Sequence, residues 1–233
     1  MLENGSFEGT WRNWQGIREL TVPEGWTPWW AQGTPEQTAE GYLLRPEYKP
    51  ETRRVCDGKR GCKWFTTFGT HDAGLLQRVR VPRGVALWLS AQVQYWSEHT
   101  DGSGGGLACR VGIDPGGGDD PFAEGVVWGA WLGQDSRPAW DGRTWREVSV
   151  EVQATGEWVT LFLRSACRYR ARHNGSYWDD VRLVAAEEEG GVPDLIDVLD
   201  RLGRALGSVD DHLVELNRRL AGIFRAEHAE EEQ

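Results

Sequence analysis

The sequence predicts a mainly β chain, an antiparallel β-sandwich of the jelly-roll kind, followed by a C-terminal α-helix with coiled-coil heptads. Three observations carry this. Apolar and polar residues alternate with a period of two in several segments before residue 186. Glycine- and proline-containing stretches such as 101–106 and 115–121 separate those segments, as turns separate short strands. After residue 193 the apolar spacing changes to alternating fours and threes.

The plainest strand runs from Val85 to Ser97. Leu87, Leu89, Ala91, Val93 and Tyr95 share one face, and Trp88, Ser90, Gln92, Gln94 and Trp96 share the other. Cys109–Asp114 and Trp145–Val152 repeat the scheme. Trp158–Ala166 is a further strand, and Tyr177–Val184 is the last. No long helical pattern occurs before residue 190, and many short strands without helices imply two packed antiparallel sheets.

A break falls at Glu187-Glu188-Glu189-Gly190-Gly191-Val192, which reads as a linker (187–192) after a β domain over 1–186. A helix is expected over 193–226, with an acidic tail over 227–233. Leu195, Leu199, Leu202, Leu206, Val209, Leu213, Leu216, Leu220 and Ile223 keep heptad phase without a slip. Leucine at a with some β-branching at d favours a trimer or tetramer over a dimer. Pro193 and Asp194 suit the first turn of that helix. An intramolecular hairpin broken at Gly207, with Ser208 and Asp211 starting a second helix, is the alternative.

Net charge follows the same division. The chain of 233 residues carries a formal −10, but residues 1–186 hold 21 basic and 23 acidic side chains, against 5 and 13 in the remainder. The β domain is therefore almost neutral, which argues against a nucleic-acid binder that works by neutralising phosphates. No stretch is apolar enough to span a membrane. The opening residues lack the basic and apolar regions of a signal peptide, so none is expected. The unusual feature is tryptophan: 14 residues, all before position 179. Some of these rings are expected to face a ligand.

Two motifs bracket the β region. It opens with Asn4-Gly5-Ser6-Phe7-Glu8, followed by Gly25-Trp26, and it closes with Tyr177-Trp178-Asp179-Asp180-Val181-Arg182-Leu183. In this order and separation they resemble the two end strands of jelly-roll carbohydrate-binding modules, the kind attached to glycoside hydrolases and found on bacterial and phage surface proteins. The stretches 65–79, 111–122 and 126–128 are similar to stand-alone relatives of that group.

The resemblance implies that the first and last strands lie together and hold a structural calcium through Glu8 and Asp179. Alternation places Asp179 in phase with Val181 and Leu183, facing inward, where a carboxylate must be paired, protonated or metal-bound. Pairing with an arginine or with backbone N–H groups is the alternative. The resemblance also implies a binding groove on a concave sheet face. Sugars present C–H faces to indole rings and hydroxyls to polar side chains. The expected ligand residues are Gln92, Gln94 and Trp96 in one row, Arg110 and Asp114 on the corresponding face of another strand, Arg164, and Trp128 and Trp131 after the Gly/Asp loop. Trp26 reads as structural, while Trp29 and Trp30 stay open.

The cysteines say less. Cys56 and Cys62 flank a short loop that a disulfide could close, and Cys109 and Cys167 could meet or be buried thiols. Catalytic signatures are missing: no Gly-x-Ser-x-Gly, no His-Glu-x-x-His and no phosphate-binding glycine loop. The expected protein is a non-enzymatic carbohydrate-binding module on a self-associating helix, gaining avidity from several weak sites. A place on a virion or cell surface, such as a phage tail, fibre or decoration component, is expected, with a glycan, its own copies and other virion proteins as partners. The rivals are a structural assembly domain that binds another protein subunit, and a glycan-active enzyme.

Overall fold

Alternation in the strand Ala86–Ser97 sorts its side chains onto two faces: Leu87, Leu89, Ala91 and Val93 are at or below 2% exposed, whereas Trp88, Gln92 and Trp96 stay partly exposed. The computed structural model of the protein, described over residues 2–98, 106–133 and 145–186, builds a two-layer sandwich from strands of this kind. The expected linker, helix, heptad residues and acidic tail lie outside the described residues.

In chain order the strands are β1 (Trp11–Asn13), β2 (Thr21–Pro23), β3 (Thr27–Trp30), β4 (Glu47–Glu51), β5 (Gly61–Thr66), β6 (Asp72–Arg80), β7 (Ala86–Ser97), β8 (Ala108–Asp114), β9 (Val127–Trp128), β10 (Arg146–Gln153), β11 (Trp158–Ala166) and β12 (Asn174–Ala186). One sheet has the order β10-β7-β12-β5-β4 and the other β3-β6-β11-β8-β9, while β1 and β2 form a small hairpin. The paired strands are antiparallel throughout. A single-turn helix, α1 (Pro35–Ala39), starts at Thr34 in a capping box with Gln37.

Between the sheets lies one apolar core, in which Trp26, Trp64, Trp178, Tyr48 and Phe7 are fully buried. Trp64 stacks on Trp178 at 5.1 Å and on Tyr48 at 5.7 Å between centroids. Both aromatic neighbours belong to its own sheet, but its polar atom does not stay there. Trp64 Nε1 donates to Ser165 Oγ of the opposite sheet at 2.6 Å. Tyr48 crosses in the same way: its hydroxyl lies 2.8 Å from the carbonyl of Trp29 and 3.0 Å from that of Gly74.

Ser165 is the hub of a buried polar cluster. It also meets Ser176 Oγ at 3.0 Å and His71 Nε2 at 2.9 Å, and His71 Nδ1 lies 3.1 Å from Thr66 Oγ1. Indole is a donor only, so Ser165 accepts from Trp64 and from Ser176 and turns its own proton to His71 Nε2. His71 is then the neutral Nδ1–H tautomer, donating to Thr66, which passes its proton to the Gly69 carbonyl at 3.0 Å. Ser165 and His71 are both fully buried, so this pair holds the two sheets together rather than meeting a substrate.

Two expectations about the chain ends are corrected. The opening segment Asn4–Glu8 is a turn, not a strand, because Asn4 and Phe7 adopt left-handed φ of 50° and 57°. The Asn4 side chain accepts from Gly9 N at 2.8 Å and donates to the Glu24 carbonyl at 3.2 Å, which closes the turn. It does pack on the closing strand as expected, with Val181 N donating to Gly5 O at 2.9 Å.

The second correction concerns parity. Trp178 faces the core, and the register slips between Asp179 and Arg182 around Asp180, whose φ is 47°. This β-bulge inserts one residue. Asp179 therefore lies on the outer face, opposite Gln92, while Val181 returns to the core.

Burial pulls the His71 pKa down to about 3. Below pH 6.5 the unfolded chain takes up a proton that folded His71 refuses, so stability falls with pH until about pH 3. This one group contributes a slope of up to about 1.4 kcal/mol per pH unit. Urea unfolding at pH 6.5 and 4.5 should show wild type losing more stability than His71→Gln, and parallel losses would contradict the assignment.

Candidate functional site

The two groups of expected ligand residues lie on opposite sides of the sandwich. Gln92, Gln94 and Trp96 project from the outer face of the β10-β7-β12-β5-β4 sheet. Arg110, Asp114, Trp128 and Arg164 belong to the outer face of the other sheet, and Trp131 joins them from the segment after β9. Alternation reports the face of a strand but not the sheet it joins, so the expectation of one shared groove is corrected.

On the first face the chain covers much of its own surface. Arg54 lies 4.3 Å above Tyr177 and 5.9 Å from Trp96, Tyr177 is 4% exposed, and the loop 52–60 closes over Asp179. Gln94 is buried, with its Nε2 lacking a hydrogen-bond partner. What remains open is a row in which His173 sits between Phe65 at 5.2 Å and Trp96 at 5.0 Å.

The same loop occupies the expected calcium ligands. Asp179 Oδ2 accepts from Cys56 N at 2.8 Å and Asp57 N at 3.2 Å, and Oδ1 accepts from Asp180 N at 2.8 Å. Glu8 Oε1 accepts from Lys59 N at 2.5 Å and Arg60 N at 2.7 Å. Those two N–H groups hold the Glu8 carboxyl below its usual range, whereas burial lifts that of Asp179 against its three donors. N–H dipoles aimed at the carboxylates repel a cation, and calcium takes six to eight oxygens. No group of three or more His, Cys, Asp or Glu with metal-holding geometry occurs among the described residues. In this arrangement Glu8 and Asp179 anchor the 56–60 loop. No disulfide joins the four cysteines, and Cys62, Cys109 and Cys167 are buried thiols raised in pKa chiefly by burial.

The second face is built from rows of directly opposed residues. One row runs Trp29–Gly74–Arg164–Arg110, and the next runs Thr27–Leu76–Phe162–Gly112–Trp128. Glycine in mid-strand lets an indole lie flat on the sheet. A Cβ on Gly112 would come within 2.5 Å of the Trp128 ring, and one on Gly74 would meet the Leu163 carbonyl oxygen at 1.6 Å and then the Trp29 ring at 2.9 Å. Phe162, Trp29 and Val126 form a small second core there, flanked by Leu76, Ala123 and Trp128. Asp114 starts the covering segment: its Oδ1 accepts from Gly116 N at 2.7 Å, which shapes the turn after β8.

At the centre are two guanidinium groups among aromatic rings. Arg164 pairs with Asp72 through Nε at 2.7 Å and Nη2 at 2.5 Å. Its Cζ lies 5.1 Å from Phe122, 5.2 Å from Trp128, 5.4 Å from Trp131 and 6.0 Å from Trp29. Arg110 lies 4.2 Å from Trp128 and 4.0 Å from Trp131. Burial, and then the Arg164 charge, pull the Arg110 pKa down to about 10, with Asp72 acting the other way.

Asp72, Phe122 and the two glycines were not among the residues expected from sequence, and Trp29 was one of two tryptophans left open. Gly112 within an apolar strand was the one available signal.

No protein-family profile matches the chain, and no curated protein matches it. Solved structures similar to it are mostly carbohydrate-binding modules. A family 61 module in complex with β-1,4-galactotriose has a TM-score of 0.48 and 12% identity, over 79% of this chain and 97% of that one. The C-terminal family 22 module of Clostridium thermocellum Xyn10B has a TM-score of 0.40 and 10% identity, over 80% and 98%. The enzymatically active domain of bacteriophage CBA120 tailspike protein 4 has a TM-score of 0.47 and 9% identity, over 79% of this chain but 21% of that one.

If Glu8 and Asp179 serve only the loop, chelation with EDTA will leave the melting temperature of purified protein unchanged, while Asp179→Ala will lower it. A fall on chelation that calcium reverses would contradict this.

Proposed function

We propose that this chain is a non-catalytic saccharide-binding module whose ligand lies on the outer face of the β3-β6-β11-β8-β9 sheet. One observation carries the reading: partly exposed aromatic rings of Trp128, Trp131 and Phe122 surround the polar groups of Arg110, Arg164 and Asp72 on a single sheet face. Indole planes accept the C–H face of a pyranose ring, and guanidinium N–H groups reach its oxygens. The platform is held from behind by packed strands, so little ordering is required on binding. The first face supports the reading less well, because loop 52–60 covers much of it.

A single shallow platform of this sort binds weakly. The heptad residues Leu195, Leu199, Leu202, Leu206, Val209, Leu213, Leu216, Leu220 and Ile223 supply the complement: a trimer or tetramer that presents several platforms at once. Linked sites raise apparent affinity about 10²–10⁴-fold where the geometry lets them engage together. Display of this kind suits a protein on a virion or cell surface that adheres to a polysaccharide.

A glycan array probed with the full-length chain tests the platform. Binding should be lost in Trp128→Ala and in Gly112→Val, whose side chain displaces the indole, and kept in Trp96→Ala. Loss in Trp96→Ala alone would move the site to the other sheet. Light scattering tests self-association: the full chain should be a trimer or tetramer and Leu206→Lys/Leu213→Lys a smaller species. A monomeric full chain would rule out avidity.

A further inference from the structure

The saccharide platform has an unbalanced charge at its centre. Arg110 on β8 and Arg164 on β11 are direct cross-strand partners. Like charges in that position repel and are destabilising. Among the described residues one carboxylate, Asp72, serves the pair, and both of its oxygens are held by Arg164. Among the described residues no carboxylate or carbonyl pairs with Arg110, and its Nε is sealed from solvent without an acceptor. Its neighbours are the rings of Trp128 and Trp131, at 4.2 and 4.0 Å. Ring quadrupoles attract a cation, but they do not supply an acceptor for its N–H groups.

We propose that the saccharide bound here is acidic, and that its carboxylate is taken by Arg110 between the two indoles. This rests on the saccharide reading above and names the ligand class. A guanidinium presents a planar fork that matches a carboxylate through two parallel bonds. Arg164 and Asp72 already show that arrangement on the same sheet face, about one strand spacing away. A sugar ring carrying the carboxylate stacks on Trp128 or Trp131 while its acid group meets the Nη groups of Arg110, the Nε staying sealed. Neutral sugars leave the second cation without a counter-charge. The deficit is a property of the free protein, so Arg110 is expected to lower stability when no ligand is bound.

The test uses the full-length chain and oligosaccharides paired so that each acidic member has a neutral twin: tetragalacturonate with tetragalactose, and sialyllactose with lactose. A sulfated galactan tetrasaccharide is the third arm. Calorimetric or tryptophan-fluorescence titration should show at least one carboxylated member binding about 10–100-fold more tightly than its twin, as expected of charge-assisted hydrogen bonds. Rising salt should weaken it. Arg110→Gln should remove that preference while melting at or above the wild-type temperature, and Arg110→Lys should keep part of it. Neutral twins binding as well as the acids, with Arg110→Gln inert, would overturn the acidic ligand and leave the saccharide reading in place. A preference for the sulfated arm would overturn the carboxylate. Binding to no member of the panel would overturn both readings.

Discussion

The indole of Trp64 is the contact on which the rest of this fold depends. Its plane completes a stack of three aromatic rings within one sheet, and its N–H is satisfied only by Ser165 of the other. A buried indole N–H without an acceptor is costly, so the stack fixes the two sheets at a set separation and offset. The hydroxyl of Ser165 then orders His71 and Thr66, and the hydroxyl of Tyr48, at the end of the same stack, reaches the backbone of Trp29 and Gly74. Those two residues open the row that ends in Arg164 and Arg110. Core geometry is in this way passed through the sandwich to the outer face.

That outer face sets two cations directly opposite one another, with one carboxylate for both among the described residues. The opposed lysines of the other sheet, Lys49 and Lys63, each have their own, Glu47 and Glu51. Elsewhere charge is managed locally: Lys63 pairs with Glu51 at 2.8 Å, and the outward carboxylates Glu8 and Asp179 are met by backbone N–H groups. Departures of this kind concentrate at functional sites, because groups arranged for a ligand are not arranged for the free protein's own stability. Mid-strand Gly112 belongs to the same arrangement, since a side chain there would lift the Trp128 indole off the sheet, while one at Gly74 would collide with the Leu163 carbonyl before it reached Trp29.

Much of the sandwich was legible in the sequence, and the reasons for success and failure are physical. The β7, β10 and β11 segments have one face in the core, so their patterns gave both position and orientation. Trp26 reads correctly as a core residue. The short strands β3 and β4 have too few residues to show a period. The bulge at Asp180 was invisible, because an aspartate with positive φ leaves no mark in the sequence and yet reverses the parity of everything before it. Trp128, Trp131, Arg110 and Arg164 were legible as candidates by residue type. Their separation from Gln92, Gln94 and Trp96 was not, because strand order within and between sheets is set by packing. Asp72 could be recognised only once the register had brought it beside Arg164.

The most direct measurement is fluorine NMR of protein carrying 5-fluorotryptophan at its 14 tryptophan positions, titrated with tetragalacturonate and sialyllactose. Ligand at the arginine pair should shift the resonances of Trp128 and Trp131, and that of Trp29 to a smaller extent, while buried Trp64 and Trp178 and the opposite-face Trp96 and Trp88 stay fixed. Shifts confined to Trp96 and Trp88, or none with either saccharide, would contradict a binding face built on Arg110 and Arg164.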